Sequence, residues 1–182
     1  MTTDYETENI VIKLWFMIHR THDMLRTCED QVFVEYKLTT EQYLVLMAIM
    51  YLEEPVRITD IARWLGRSTN SVSMIVDRMV KAGLLRRVRD RGDRRVVNVF
   101  ITSKGQNALQ PAIRAGWEYV WKIISPLPDE DRHTLMKLLE AIRYEAYGYL
   151  NSGADIEEIK RNDAKSYDNL MGRLIERLDQ LA

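Results

Sequence analysis

The stretch from Ile58 to Thr102 constrains the fold most, because helical periodicity, glycine corners and strand alternation succeed one another there at spacings that leave few architectures open. Ile61-Ala62-Arg63-Trp64-Leu65-Gly66 reads as a short amphipathic helix ending at Gly66, whose freedom at positive φ suits the residue just past a helix end. A tight turn follows. Ser68 is a good N-cap for a second helix, in which Val72, Ile75, Val76 and Met79 recur at spacings of three and four before the helix ends at Gly83. Small Ala62 lets the two helices approach, Gly66 makes the corner, and Val72 and Ile75 fill the angle between them, as a helix-turn-helix requires. Arg67 stands where an apolar residue is expected.

With that apolar set facing inward, Thr69, Asn70, Ser73, Met74, Asp77 and Arg78 lie on or near the outer side of the second helix, within reach of base edges and phosphates in a major groove. Asn70 could read adenine, and Thr69, Ser71 or Ser73 could meet a phosphate or a thymine methyl. With the cap Ser68, these residues form the candidate recognition surface. Leu84 to Arg89 and Val96 to Ile101 read as two strands, the second alternating Val97, Val99 and Ile101 against Val96, Asn98 and Phe100. Between them Asp90-Arg91-Gly92-Asp93-Arg94-Arg95 is a basic hairpin loop, or wing, in which Arg91 and Arg94 suit phosphate contacts.

Charge supports this reading. From Pro55 to Gly105 twelve Lys and Arg face four acids, so this block carries +8 while the remaining chain carries −9 of a net −1. A charge run alone is most simply a solvated face. Its coincidence with a helix-turn-helix points instead to a polyanion, duplex DNA, meeting one face of the molecule.

The order helix-turn-helix, Lys81-Ala82-Gly83-Leu84-Leu85-Arg86-Arg87, then Asp93-Arg94-Arg95 and Val99-Phe100-Ile101-Thr102 with Lys104-Gly105, resembles the winged helix of the MarR family of bacterial and archaeal transcription regulators. Ile101 stands where that family usually has Leu. The resemblance covers about residues 8 to 150. It implies a mainly α fold with a small antiparallel β wing, a winged helix-turn-helix plus a helical dimerisation region. It also implies a homodimer, a pseudo-palindromic site on double-stranded DNA and, most often, repression. By the same resemblance Arg95 enters the minor groove with its guanidinium oriented by Asp93; an intra-wing salt bridge is the plainer alternative for the pair.

In chain order, Asn9 to about Tyr36 reads as a long helix with Ile10, Val11, Leu14, Trp15, Ile18, Leu25, Val32 and Phe33 on its apolar side. Thr39 and Gln42 suggest a capping box for a helix from Glu41 to Leu52 with Tyr43, Leu44, Leu46, Met47 and Met50 core-like. Val56-Arg57-Ile58 reads as a short strand. Ser103 is the expected cap of a helix running from Lys104 to about Ser125, with Leu109, Ile113, Trp117, Val120, Trp121 and Ile124 at helical spacing. Pro126 and Pro128 break it. A further helix from Asp129 carries Leu135, Leu138, Leu139, Ile142, Ala146 and Tyr149, and a last one, Asp155 to Leu181, carries Tyr167, Leu170, Leu174, Leu178 and Leu181.

The division expected is residues 1–37 as an N-terminal dimerisation helix, 38–102 as the winged helix-turn-helix, 103–150 as C-terminal dimerisation helices and 151–182 as an additional amphipathic helix. None of the terminal helices has enough neighbours to bury its stripe alone, so two chains are expected to meet through them.

The remaining signals are weaker. A 46% apolar composition argues against disorder, and the apolar runs are too short for a bilayer, so a cytoplasmic protein with no membrane partner is expected. The single cysteine, Cys28, excludes an intramolecular disulfide framework. It is either an inert thiol or a peroxide sensor, which would make the chain a redox-sensing regulator. His19 and His22, with Asp23 beside them and His133 elsewhere, lack the further ligands a metal site needs, and no cofactor is expected. Trp15, His19, Tyr43, Met47, Trp117 and Trp121 are candidates to line a pocket for a small aromatic or anionic effector, as in the resembling family, although each singly is more often core. No nucleophile with its base and no phosphate loop is present, so an enzyme is not expected. A winged helix kept only for protein contacts is the alternative to DNA binding.

Overall fold

The computed structural model describes residues 5–52, 55–90, 92, 96–153 and 155–179. Seven helices and three strands are described: α1 (Tyr5–Val34), α2 (Thr40–Tyr51), β1 (Val56–Arg57), α3 (Ile58–Trp64), α4 (Thr69–Lys81), β2 (Leu85–Arg89), β3 (Val97–Ile101), α5 (Ser103–Ile124), α6 (Asp129–Leu150) and α7 (Ile156–Asp179). The chain divides into two compact units, Met1–Gly116 and Trp117–Ala182.

In the first unit α2 is the central helix. Thr39 and Gln42 form the expected capping box. Val45, Leu46, Met47, Ala48, Ile49 and Tyr51 are all buried, so α2 is enclosed on most sides rather than along one stripe. Its burial therefore reaches beyond the expected Leu46 and Met47, while Tyr43, Leu44 and Met50 are half-buried. Phe33 of α1 stacks on Tyr43 with ring centroids 3.9 Å apart, and Tyr51 stacks on Trp64 of α3 at 6.1 Å.

The strands form one antiparallel sheet in the order β1-β3-β2. Val56 pairs with Val99, and Leu85 to Arg89 run against Ile101 to Val97. Two expectations are corrected here. Ile58 opens α3 instead of ending the strand, because the Asp60 carboxylate already accepts the Arg57 backbone N–H at 3.1 Å and starts the helix there. The expected alternation of Val97, Val99 and Ile101 against Val96, Asn98 and Phe100 does not carry over into burial, since Asn98 and Val99 are both buried while Val97, Phe100 and Ile101 are half-buried.

A third correction concerns α5. Ser103 is its first helical residue, and the N-cap is Thr102, whose hydroxyl oxygen accepts the backbone N–H of Gly105 at 3.1 Å. Leu109, Ala112 and Ile113 of α5 complete the core of the first unit.

In the second unit Trp117 and Trp121 lie one helical turn apart with ring centroids at 6.3 Å. α6 contributes no buried residue, and its Leu135, Leu138, Leu139 and Ile142 are exposed. α7 meets α6 through polar groups: Arg143 donates to Asp163 at 2.7 Å, and the Tyr144 hydroxyl donates to the same carboxylate at 3.2 Å. The expected stripe positions Leu170, Leu178 and Leu181 lie outside the described side chains, while Tyr167 is exposed and Leu174 half-buried.

Candidate nucleic-acid interface

α3 and α4 make the helix-turn-helix. Past the end of α3, the Gly66 N–H donates to the Arg63 carbonyl at 3.1 Å and the Arg67 N–H to the Ala62 carbonyl at 2.9 Å, a Schellman pair with Gly66 at φ +62. Ser68 then accepts the Ser71 N–H at 3.2 Å and starts α4. The same pair of bonds closes α4: Gly83 N–H to Val80 at 3.0 Å and Leu84 N–H to Met79 at 2.9 Å.

The two faces of α4 separate cleanly. Val72, Ile75, Val76 and Met79 are buried. Thr69, Asn70, Ser71, Met74, Asp77 and Arg78 are exposed, as is the cap Ser68, and Ser73 is half-buried. Met74, 65% exposed, puts an apolar tip among polar neighbours, the kind of contact a thymine methyl accepts. Asp77 already has a protein partner, the Arg87 guanidinium of β2 at 2.5 Å, so its first role visible in the fold is to tie the helix to the sheet.

Both ends of α4 are fastened. At the C-terminal end the Thr102 hydroxyl donates to the Gly83 carbonyl at 2.7 Å, and Lys104 Nζ donates to the Ala82 carbonyl at 2.7 Å, where a cation also suits the helix dipole. Just before the N-terminal end, Arg67 and Arg26 of α1 each donate to one oxygen of the Glu41 carboxylate on α2. This explains the misfit of Arg67: a half-buried guanidinium replaces the expected apolar contact because an acid is positioned to receive it. Nothing in the local pattern around Arg26 or Glu41 announces the link, since both read as solvated helix positions.

The wing strands carry Arg86, Arg87 and Arg89 outward, and the Arg86 guanidinium lies 4.5 Å from the centroid of its cross-strand partner Phe100. At the base of the loop the Asp90 N–H donates to the Val96 carbonyl at 2.9 Å, and the Asp90 carboxylate accepts the Gly92 N–H at 2.8 Å. Arg91, Asp93, Arg94 and Arg95 lie outside the described residues.

The effector candidates fall into separate settings. Trp15 and His19 meet edge to face at 4.5 Å, with Trp15 60% exposed. Met47 is core of the first unit and Tyr43 is half-buried against Phe33; burial raises the Tyr43 hydroxyl far above its ordinary pKa, with Tyr51 and Glu29 adding to the shift. Trp117 and Trp121 belong to the second unit. One cavity of about 430 Å³ lies elsewhere, lined by Arg26, Asp30, Val34, Leu38, Thr39, Glu41, Gln42, Ile75 and Arg78, none of them an effector candidate from the sequence. Cys28 is half-buried. Among the described residues no cluster of three metal-ligating side chains occurs, and no helix is long and apolar enough to cross a membrane.

A helix-turn-helix with a basic two-stranded wing, its second helix polar outward, defines a winged-helix DNA-binding protein. The MarR family model matches residues 36–96. The HTH-type transcriptional regulator PecS of Dickeya dadantii is 30% identical over 112 residues, 60% of this chain and 68% of that one. Solved structures of such regulators share the fold, among them the following two. The organohalide-sensing regulator RdhR in its 2,4-dichlorophenol bound form aligns at TM-score 0.73 and 21% identity, over 82% of this chain and 88% of that one. The complex of Staphylococcus aureus MepR with DNA aligns at 0.67 and 20%, over 72% and 96%. The chain belongs to the MarR family of DNA-binding transcriptional regulators.

Proposed function

We propose that this regulator is a homodimeric repressor that reads a pseudo-palindromic operator, one α4 per half-site, and acts in the cytoplasm. The observation that carries the reading is the two-faced α4, anchored at both ends and presenting Ser68, Thr69, Asn70, Ser71, Ser73, Met74 and Arg78 away from its core, with Asp77 pairing to β2 beside them. Arg91 and Arg94 contact phosphates, and Arg95, oriented by Asp93, enters the minor groove. Support for the dimer comes from apolar side chains that one chain leaves in water: Ile10, Val11, Leu14 and Trp15 of α1, Val120 and Trp121 of α5, and Leu138 and Leu139 of α6. In this division 1–37 and 103–150 dimerise, 38–102 reads DNA, and 151–182 is an added helix.

A small aromatic or anionic effector releases the operator. RdhR, which shares the fold, is known in a dichlorophenol-bound form. Single replacements of Trp15, His19, Tyr43, Met47, Trp117 and Trp121 test which residues receive it. An effector need shift DNA affinity only about 10- to 100-fold to act as an inducer.

The direct test is a gel shift on the DNA upstream of the chain's own gene across a salt series, with Arg95→Ala alongside. Salt-sensitive binding weakened by Arg95→Ala supports the reading. Absence of salt-sensitive binding to any duplex would sink it.

A further inference from the structure

The Glu41 carboxylate receives two guanidinium groups, one per oxygen: Arg26 Nη2 on Oε1 and Arg67 Nη1 on Oε2. The three side chains come from three places, α1, the start of α2, and the turn that enters α4. They keep 25%, 27% and 28% of their surface, so water screens this triad less than an ordinary surface pair. Around it α1 is held on α2 by the Phe33–Tyr43 stack and by the Asp30 carboxylate, which accepts both the backbone N–H of Thr40 at 2.9 Å and its hydroxyl at 2.7 Å. The far end of α4 is fixed independently through Thr102, Lys104 and Arg87. Arg67 therefore governs the end of α4 that leads with Thr69 and Asn70, the end that a helix-turn-helix presents to bases.

We infer that Arg67, Glu41 and Arg26 are positioning residues for DNA reading, a relay through which the placement of α1 sets the placement of the leading end of α4. The inference rests on the DNA-reading role of α4 proposed above. None of the three needs to touch DNA. An apolar residue at position 67 would anchor the turn to the nearest core. The charged link joins it instead, through Glu41, to a helix whose own apolar residues Ile10, Val11, Leu14 and Trp15 are exposed.

The sign of one substitution separates this role from simple electrostatics. Removing an acid from a DNA-binding face raises affinity for any duplex if only net charge matters. The relay requires the opposite for specific DNA. The probe is the duplex that the full wild-type chain enriches from a random library, with a scrambled duplex as the non-specific control, both measured by fluorescence anisotropy across a salt series. Glu41→Gln, Arg67→Leu and Arg26→Gln should each weaken specific binding about tenfold, a typical coupling. The salt slope should stay unchanged, and Glu41→Gln should leave non-specific binding as tight or tighter. Glu41→Gln combined with Arg67→Leu should cost no more than either alone, and Arg67→Lys should restore part of the loss. Thermal melts identify any variant that fails to fold; the other two cut the same relay from its other members. Unchanged or tighter specific binding in Glu41→Gln overturns the relay, as do additive losses. A fall in salt slope of about one in Arg67→Leu overturns it too, since that marks a phosphate contact. A wild-type chain that enriches no duplex overturns the regulator reading itself, and the relay with it.

Discussion

The hydroxyl of Thr102 donates to the carbonyl oxygen of Gly83, 2.7 Å away, while its oxygen accepts the Gly105 N–H at 3.1 Å. One side chain thus caps the start of α5 and holds the end of α4. Thr102→Val keeps the shape and removes these bonds together with the one its hydroxyl shares with the Leu84 carbonyl at 3.1 Å. It should cost about 1 to 2 kcal/mol, read as a lower midpoint in urea unfolding with an unchanged slope.

Gly105 reverses the usual helix rule. Alanine inside a helix is ordinarily better than glycine by about 1 kcal/mol. Here an added Cβ would run into the backbone carbonyl oxygen of Leu84, which cannot step aside as a flexible side chain would. Gly105→Ala should therefore destabilise, whereas Gly172→Ala in α7, where nothing lies within 4 Å, should stabilise by a few tenths to about 1 kcal/mol. Paired denaturant titrations check both signs.

Lys37 sits at φ +57, the only described non-glycine residue at positive φ, in the turn where its N–H donates to Val34 and the Leu38 N–H donates to Phe33. Its Cβ works against that geometry. Lys37→Gly should stabilise by about 0.5 to 1 kcal/mol, the relief of strain outweighing the extra freedom of the unfolded chain, and a melting curve reads it.

Asp30 gives the acid limb of stability. The Thr40 backbone N–H and hydroxyl, with Arg26 nearby, hold its carboxyl below the usual carboxylate range. A lowered folded value means the contribution is complete above the ordinary pKa and is lost as pH falls through the lowered one. Melting temperature followed from about pH 6 down to about pH 2 should fall less steeply in Asp30→Asn than in the wild type.

Two neighbours on α4 should part company. Ile75 is buried and Arg78 exposed. Ile75→Ala should cost about 2 to 5 kcal/mol of stability. Arg78→Ala should leave stability within about 0.5 kcal/mol and lower the salt slope of DNA binding by about one. Unfolding and anisotropy on the same two variants separate core from contact.

The helix-turn-helix was legible because its signals are local: a glycine past each helix end, a serine cap, and apolar spacings of three and four. What stayed hidden depends on partners distant in sequence. Thr102 and Ser103 are equally good caps by residue type, and only the carbonyls of Gly83 and Leu84 decide between them. Burial around α2 shows no stripe because the helix is central. The pairing of β1 with β3 is hidden likewise, since Val56 and Arg57 are too short a stretch to announce their partner strand. Arg67 could be recognised as a misfit, yet its partner Glu41 is set by tertiary packing of α2 against the turn.

The central claim, that two copies of α4 read one duplex together, is tested most directly by footprinting the full chain on its enriched duplex while counting chains per complex by analytical ultracentrifugation. Two chains per duplex, with two protected major-groove segments about one helical turn or a whole multiple of it apart, are the predicted result. A single chain per duplex with one protected segment would contradict the account.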